Sequence, residues 1–433
     1  LFSEPRVLVV AAGDVLAGPL CQGLDGLGWS TLTARNAAAA FQALRDLKLD
    51  VVIIDAGDGG ANVLAAELRQ VAMPRHLPIL AIGELDPTEA GAIDLIMSAP
   101  LHPLQAAMRL DQLTRAGIAE EEFSLRQQTF DHHGVQLEAP SEDEAPLQIL
   151  TAGMADRRFL PLANALRAAG AEVVAAPTPF TAFDFLHERA FDGVVLWGGD
   201  DLAPALSIVA GMKRNSRLYH IPLVLYLKSD ETQPQNLFSK GVADVMLADT
   251  PELDAAERVL ALARNHRRRK AIRRALDSVR GSELVDATTG LFTSELFAEH
   301  LSRVSEGARR RGRSVCVCVL RVAQRDALVH ARRGGWLQAA LSQVGAMISR
   351  LVRVEDTAAC LSPEVFALIL PSVNEAEARQ AAERISAVIG CTAFDAGEDR
   401  SPFVIELEVG VAEARPGETP ALMLERASND LRG

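Results

Sequence analysis

Arg353 and Asp356 stand three residues apart, and five residues separate Asp356 from the turn Ser362-Pro363-Glu364. A planar guanidinium and a carboxylate at this spacing can hold one polar ligand between them, or they can pair with each other on the surface, an arrangement of little energetic value. The same spacing recurs at Arg189–Asp192 and Arg274–Asp277, in segments read as helices, where surface salt bridges are expected. The neighbours of Arg353 differ. The stretch from Arg353 to Leu370 reads as a loop, a strand, a tight turn and a second apolar strand ended by Pro371. The five cysteines, Cys21, Cys316, Cys318, Cys360 and Cys391, include no CxxC and no Cys/His cluster at zinc spacing, so no metal site is expected from them. Cys316 and Cys318 alternate with valines and are read as core residues of a reducing cytoplasm.

The elements that would position these groups follow from hydrophobic pattern. A chain of 433 residues calls for roughly three domains. Its formal charge of -13 argues against a general nucleic-acid binder. Short apolar runs, RVLVV, STLTA, DVVIID, LPILAI and DLIMS, alternate with helix-period segments between residues 6 and 116, which predicts a parallel sheet covered on both faces. The pattern repeats at an offset of 142 (182 minus 40), aligning Ala40-Phe41 with Ala182-Phe183 and Val51–Asp55 with Gly193–Trp197. The acidic, Pro-containing stretch from Glu138 to Pro146 is read as a linker between the copies. The basic run at 264–274, RNHRRRKAIRR, carries no interleaved aromatic and no helix-turn-helix pattern, so a connecting helix with an exposed face is expected. Arg309-Arg310-Arg311 reads as a solvated loop before a strand. No signal peptide and no membrane-spanning run is visible, and the opening Leu suggests a native start further upstream.

Both copies resemble response-regulator receiver domains. That resemblance implies an acidic pair holding Mg²⁺, a phosphoacceptor Asp ending the third strand, and a Thr and a Lys ending the fourth and fifth. Asp55 stands at the acceptor position of the first copy, but Ala11-Ala12, Gly83 and Ala99 occupy the others, with Asp14 nearby. In the second copy Trp197 replaces the acceptor, Gly153-Met154 the acids, and Asp249 falls near the Lys position. A carboxylate attacks phosphorus only with metal and Lys to neutralise the developing charge, so the second copy is expected to be an adaptor. The GGDD at 198–201 follows the third strand of that copy and is read as a turn.

From Asp286 the chain opens with DATTGLF, then a helix, the strand SVCVCVLRV and the stretch around Arg353, an order similar to the GGDEF domain of diguanylate cyclases. With two receivers the chain resembles PleD-type Rec-Rec-GGDEF response regulators. Cyclase chemistry needs a strand Asp and a turn Glu converging on Mg²⁺; the register places Arg321 at the first and Glu364 at the second. Ser362 and Pro363 replace the paired glycines of the turn, Val329 and Gln338 fall on the guanine-reading positions, and the ending RASNDLRG lacks the family's basic tail. The resemblance makes Arg353 and Asp356 an inhibitory-type cyclic di-GMP site, with Arg384 of AAERIS as a second arginine. An Arg fork can bond guanine O6 and N7, and a carboxylate can accept from N1 and N2.

The expected fold is therefore α/β: receiver-like domains at 1–125 and 146–265, a connecting helix at 266–284, and a degenerate GGDEF domain at 285–433. The resemblance implies a cytoplasmic, homodimeric cyclic di-GMP effector without catalytic residues, metal or catalytic cofactor. It would signal to protein partners in cell-cycle control, polar localisation and regulated proteolysis, binding neither nucleic acid nor membrane. Arg353, Asp356 and Arg384 would bind ligand, Asp55 is the candidate phosphoacceptor, and an arginine among Arg309–Arg311 could complete the site from a second domain. A nucleotide-independent scaffold, a residual cyclase and a scaffold controlled by phosphorylation of Asp55 are the alternatives.

Overall fold

The computed structural model describes residues 6–73, 77–83, 91–97, 103–141, 145–154, 157–228, 237–238, 240–247, 249–279, 282–286, 288–395 and 401–431. Its contacts divide into two units. One holds Ser3–Gly117 and Asp143–Arg268, and the other holds Ile118–Glu142 and Arg269–Gly433. Ala99 and residues 142–144 of the expected linker lie outside the described residues.

The first unit contains two parallel five-stranded sheets. Strands β1 (Arg6–Val10), β2 (Ser30–Ala34), β3 (Val51–Asp55), β4 (Ile79–Ile82) and β5 (Leu95–Met97) lie in the order β2-β1-β3-β4-β5. That is the flavodoxin-like order, with the catalytic end of such sheets at the carboxyl ends of the strands. The continuous apolar runs form strands because helices cover both faces: Val7, Val9, Val51 and Ile53 pack into one cluster, and Leu8, Val52 and Ile54 into the other. Helices α1 (Asp14–Asp25), α2 (Ala37–Asp46), α3 (Ala61–Ala72) and the start of α4 (Pro103–His132) supply those layers. Asn36 caps α2 by accepting from the Ala39 amide at 2.9 Å.

The second sheet repeats the first in both position and pairing. Strands β6 (Gln148–Ala152), β7 (Glu172–Ala176), β8 (Gly193–Trp197), β9 (Leu223–Tyr226) and β10 (Asp244–Met246) run in the order β10-β9-β8-β6-β7. Arg6 pairs with Ser30 in one sheet and Gln148 with Glu172 in the other, each shifted by 142 (148 minus 6, 172 minus 30). Its helices are α5 (Phe159–Ala168), α6 (Pro179–Glu188), α7 (Ala203–Arg214) and the first part of α8 (Glu252–Asp277).

One buried ion cluster joins elements of the two copies. Asp244, 3% exposed, takes a two-point bond from Arg258 of α8 (2.9 and 2.8 Å) and a further bond from Arg109 of α4, which is 2% exposed. Burial alone would raise the Asp244 carboxyl, but the Arg109 and Arg258 guanidiniums outweigh it and hold it below the ordinary carboxylate range.

The second unit carries a mixed sheet ordered β11-β13-β14-β12-β15, from β11 (Phe292–Thr293), β12 (Val315–Val322), β13 (Thr357–Ser362), β14 (Val365–Pro371) and β15 (Leu407–Glu413). Central β12 pairs antiparallel with both β14 and β15. Its alternation has a simple cause. Val315, Val317 and Val319 pack against Phe297, Leu301 and Val304 of α9 (Ser294–Arg311) and Met423 of α13 (Pro420–Asn429). Cys316 and Cys318 face the other side, toward the carbonyls of Val373 and Ala378 at the start of α12 (Glu375–Gly390). Helices α10 (Asp326–Gly334) and α11 (Trp336–Leu351) complete the unit.

The opening motif DATTGLF folds around Asp286, whose carboxylate accepts from the Thr289 amide and hydroxyl, both at 2.7 Å. Gly345 of α11 lies against this turn; a Cβ there would meet the Thr289 Cβ at 2.5 Å.

Three local expectations need correction. Arg309–Arg311 form the last turn of α9 rather than a loop, closed by Gly312 in the left-handed region (φ 69°). The run at 264–274 lies inside α8 and is largely half-buried rather than an exposed face: Arg267 donates to the Pro146 carbonyl at 2.9 Å and pairs with Asp192. Asp192, expected on a helix surface, is buried beside β8 and accepts from the Gln148 amide at 2.9 Å.

Asp244→Ala leaves two guanidiniums buried without their counter-ion and is expected to destabilise by about 3–5 kcal/mol, read as a lower denaturant midpoint. Because the folded pKa of Asp244 is depressed, its contribution is present at neutral pH and is lost as pH falls through that depressed value. Burial pushes the thiols of Cys316 and Cys318 far up, whereas Cys391 is exposed. Thiol alkylation of the native protein should label Cys391 first and spare Cys316 and Cys318 until denaturant is added.

Candidate functional site

Arg353 lies between α11 and β13, and backbone contacts bend the chain there into a turn. The Asp356 carboxylate accepts from the Arg353 amide at 2.8 Å, and the Asp356 amide donates to the Arg353 carbonyl at 3.2 Å. Asp356 is thus tied to the backbone of Arg353 rather than to its side chain. The half-buried guanidinium of Arg353 has no hydrogen-bond or ion-pair partner among the described residues. It faces a cleft lined by Arg273, Asp277, Phe292, Val354 and Asp356. Arg384, half-buried on α12, is not among the cleft residues.

Two further arginines line the cleft, Arg126 without a signal in local sequence pattern and Arg273 within the basic run read as a connecting helix. Arg126 of α4 donates to the Val354 carbonyl (2.8 Å), the Asp356 carbonyl (2.9 Å) and the Thr357 hydroxyl (3.1 Å). Arg273 of α8 donates to the carbonyls of Val352 (2.8 Å) and Arg350 (3.4 Å). Asp277, assigned from sequence to a surface salt bridge, lines this cleft. Arg309 and Arg310 instead bond Glu306, and Arg311 approaches Glu121 at 3.4 Å. None of the three lines the Arg353 cleft.

At the hairpin, Ser362 pairs with Val365, leaving Pro363 and Glu364 as the loop. Arg321 lies across from Val365, and the Val322 amide donates to the Glu364 carbonyl at 3.0 Å, so the strand position and the turn converge. Their side chains turn to separate protein partners. Arg321 bonds Glu408 of β15 at 2.8 Å. Glu364 is gripped on both oxygens by Arg332 of α10, at 2.8 and 2.6 Å. This two-point bond raises Arg332 above its ordinary value. A divalent cation needs oxygen donors, and a cation at 321 with Glu364 already neutralised does not fit one.

The carboxyl ends of the parallel sheets are closed in other ways. Asp55 accepts from the Gly57 amide at 3.0 Å, capping its own turn, and Asp14 pairs with Arg35 at 2.9 Å. In the second copy Trp197, 5% exposed, stacks on Tyr226 with centroids 5.1 Å apart, and Arg158 covers that ring at 4.6 Å. No group of three or more His, Cys, Asp or Glu suited to a metal ion is found among the described residues.

Residues 283–432 match the family model described as diguanylate cyclase, GGDEF domain. A GGDEF domain occupies that stretch. Among solved structures, the chain is similar to the GGDEF domain of DgcB from Caulobacter crescentus in complex with c-di-GMP, at 22% identity over 34% of this chain and 84% of that one, TM-score 0.32. It is also similar to the diguanylate cyclase SiaD in complex with its activator SiaC from Pseudomonas aeruginosa (22% identity, 41% and 67% covered, TM-score 0.33). A response regulator from Thermotoga maritima matches at 20% identity over 26% of this chain and 99% of its own, TM-score 0.24. No curated protein matches the chain. In the GGDEF domain the helix that follows β12 thus brings Arg332 onto the hairpin.

The Arg332–Glu364 pair is about one-quarter exposed on each side. A double-mutant cycle of Arg332→Met and Glu364→Gln should give a coupling of about 0.5–1 kcal/mol, and a coupling near zero would show Glu364 unengaged.

Proposed function

We propose that the GGDEF domain is a receptor for cyclic di-GMP that does not make it, with Arg353 and Asp356 as the binding pair and Arg384 as a second arginine. One observation carries this reading. The Arg353 guanidinium stands at a cleft beside Asp356 with no protein partner among the described residues, while Arg321 and Glu364 are each consumed by an ion pair. A half-buried guanidinium in that state favours a planar acceptor edge such as guanine O6 and N7, with the Asp356 carboxylate, bonded to the Arg353 amide, beside it to accept from N1 and N2. The family match supports a guanine nucleotide as ligand class.

In this reading no catalytic metal is held at the hairpin, because Arg321 and the Arg332-bound Glu364 do not offer the oxygen pair that Mg²⁺ requires. The two flavodoxin-like sheets serve as receiver-like adaptors at 1–125 and 146–265, joined through 266–284 to the GGDEF domain. Asp55 is the candidate phosphoacceptor. The chain then resembles PopA, a catalytically degenerate Rec-Rec-GGDEF effector, and acts as a homodimer on protein partners of cell-cycle control and proteolysis at a cell pole.

Isothermal titration of the full chain with cyclic di-GMP tests the reading. Arg353→Gly should weaken binding by roughly ten- to a hundredfold, the worth of one bidentate guanine contact. No heat with the unmodified chain, or undiminished heat in Arg353→Gly, overturns it and favours a nucleotide-independent scaffold. Incubation with GTP and Mg²⁺ should yield no cyclic di-GMP.

A further inference from the structure

The acceptors of Arg126 and Arg273 bracket Arg353 on both sides. Arg273 holds the carbonyls of 350 and 352, and Arg126 holds those of 354 and 356. Main-chain carbonyls carry no side-chain information, so these bonds fix the path of the backbone and with it the origin of the Arg353 side chain. Asp356 follows, since its carboxylate is bonded to the Arg353 amide. The binding pair therefore has the geometry that the two arginines impose on the loop.

Each arginine is itself held. Arg126 is 3% exposed and lies 3.6 Å from Glu122, one turn earlier on α4. Glu122 is bonded to His300 of α9 at 2.6 Å. The Thr129 hydroxyl donates to the Leu125 carbonyl at 2.9 Å and shares a further hydrogen bond with His300 Nδ1 at 3.0 Å. This buried chain of polar groups runs from α9 through α4 to the loop. Arg273 sits in the last turns of α8, whose Leu276 and Asp277 also line the cleft.

We propose that Arg126 and Arg273 are positioning residues of the cyclic di-GMP site, and that through them ligand occupancy is coupled to the ends of α4 and α8. The proposal rests on the receptor reading above and adds its regulation. Both helices are long: α4 begins beside the first parallel sheet and α8 beside the second, and the arginines lie near their far ends. A ligand that favours the held loop favours the helix ends that hold it, and the coupling works equally in reverse.

Hydrogen exchange with titration on the full chain separates this proposal from the reading beneath it. In the unmodified protein cyclic di-GMP should slow exchange at 350–357 and also at 118–132 and 269–277. Arg126→Met should weaken ligand binding at least tenfold and abolish the ligand's protection of 118–132 while leaving that of 269–277. Arg273→Met should give the mirror image, and serves alone if Arg126→Met does not fold. A role in stability only would lower the melting temperature and leave both protections intact. That pattern, or unchanged affinity in the folded methionine variants, overturns the proposal while the receptor reading stands. An unmodified chain that takes up no ligand removes both.

Discussion

A guanidinium can leave water only where acceptors meet its N–H groups, and that requirement governs the GGDEF unit. Arg126 satisfies it with two carbonyls and a hydroxyl from a single loop, plus a carboxylate on its own helix. The position of α4 against β13 and the shape of the loop before β13 are therefore one constraint. Neither can change without exposing or orphaning a buried charge. The hydrophobic contacts that accompany it, Phe123 and Phe130 of α4 with Leu296 and Val354, are non-directional and would tolerate sliding. The hydrogen bonds would not, so they set the register in which the helix docks.

The same chemistry accounts for the hairpin. The backbone convergence of β12 with the turn rests on the ladder from Val315↔Pro371 to Arg321↔Val365, a matter of strand pairing and core packing. Arg321 and Glu364 remain neighbours in space and are quieted by Glu408 and Arg332 respectively. Fold and chemistry separate cleanly here, since the strands do not depend on the groups at their ends.

How much of this was legible follows from the range of each interaction. The strands of both parallel sheets were legible because burial on two faces forces continuous apolar runs, and the second sheet gained support from the offset of 142. The hairpin was legible from its turn and apolar second strand. Arg126 was not, since its acceptors lie about 230 residues away and no local period marks them. Arg332 likewise finds Glu364 across 32 residues. Arg309–Arg311 could have been placed correctly: basic residues followed by glycine are what a helix end favours, and Gly312 supplies the left-handed stop. Asp277 stands at the spacing of a helical surface pair with Arg274, and only the fold brings it to the cleft of Arg353.

An asymmetry runs through the polar sites of the chain. Asp14 is engaged by Arg35, Asp55 by its own turn, and Glu364 by Arg332, while Trp197 fills its position with an aromatic stack beneath Arg158. At each of these positions among the described residues the side chain has an intramolecular partner. Arg353 differs: its backbone is held firmly and its guanidinium is left without a partner among the described residues. A rigid backbone under an uncommitted charged side chain is the arrangement that lowers the entropy lost on binding, because the loop is ordered before the ligand arrives. Held by Arg126 and Arg273, the Arg353 loop is preorganised in this sense.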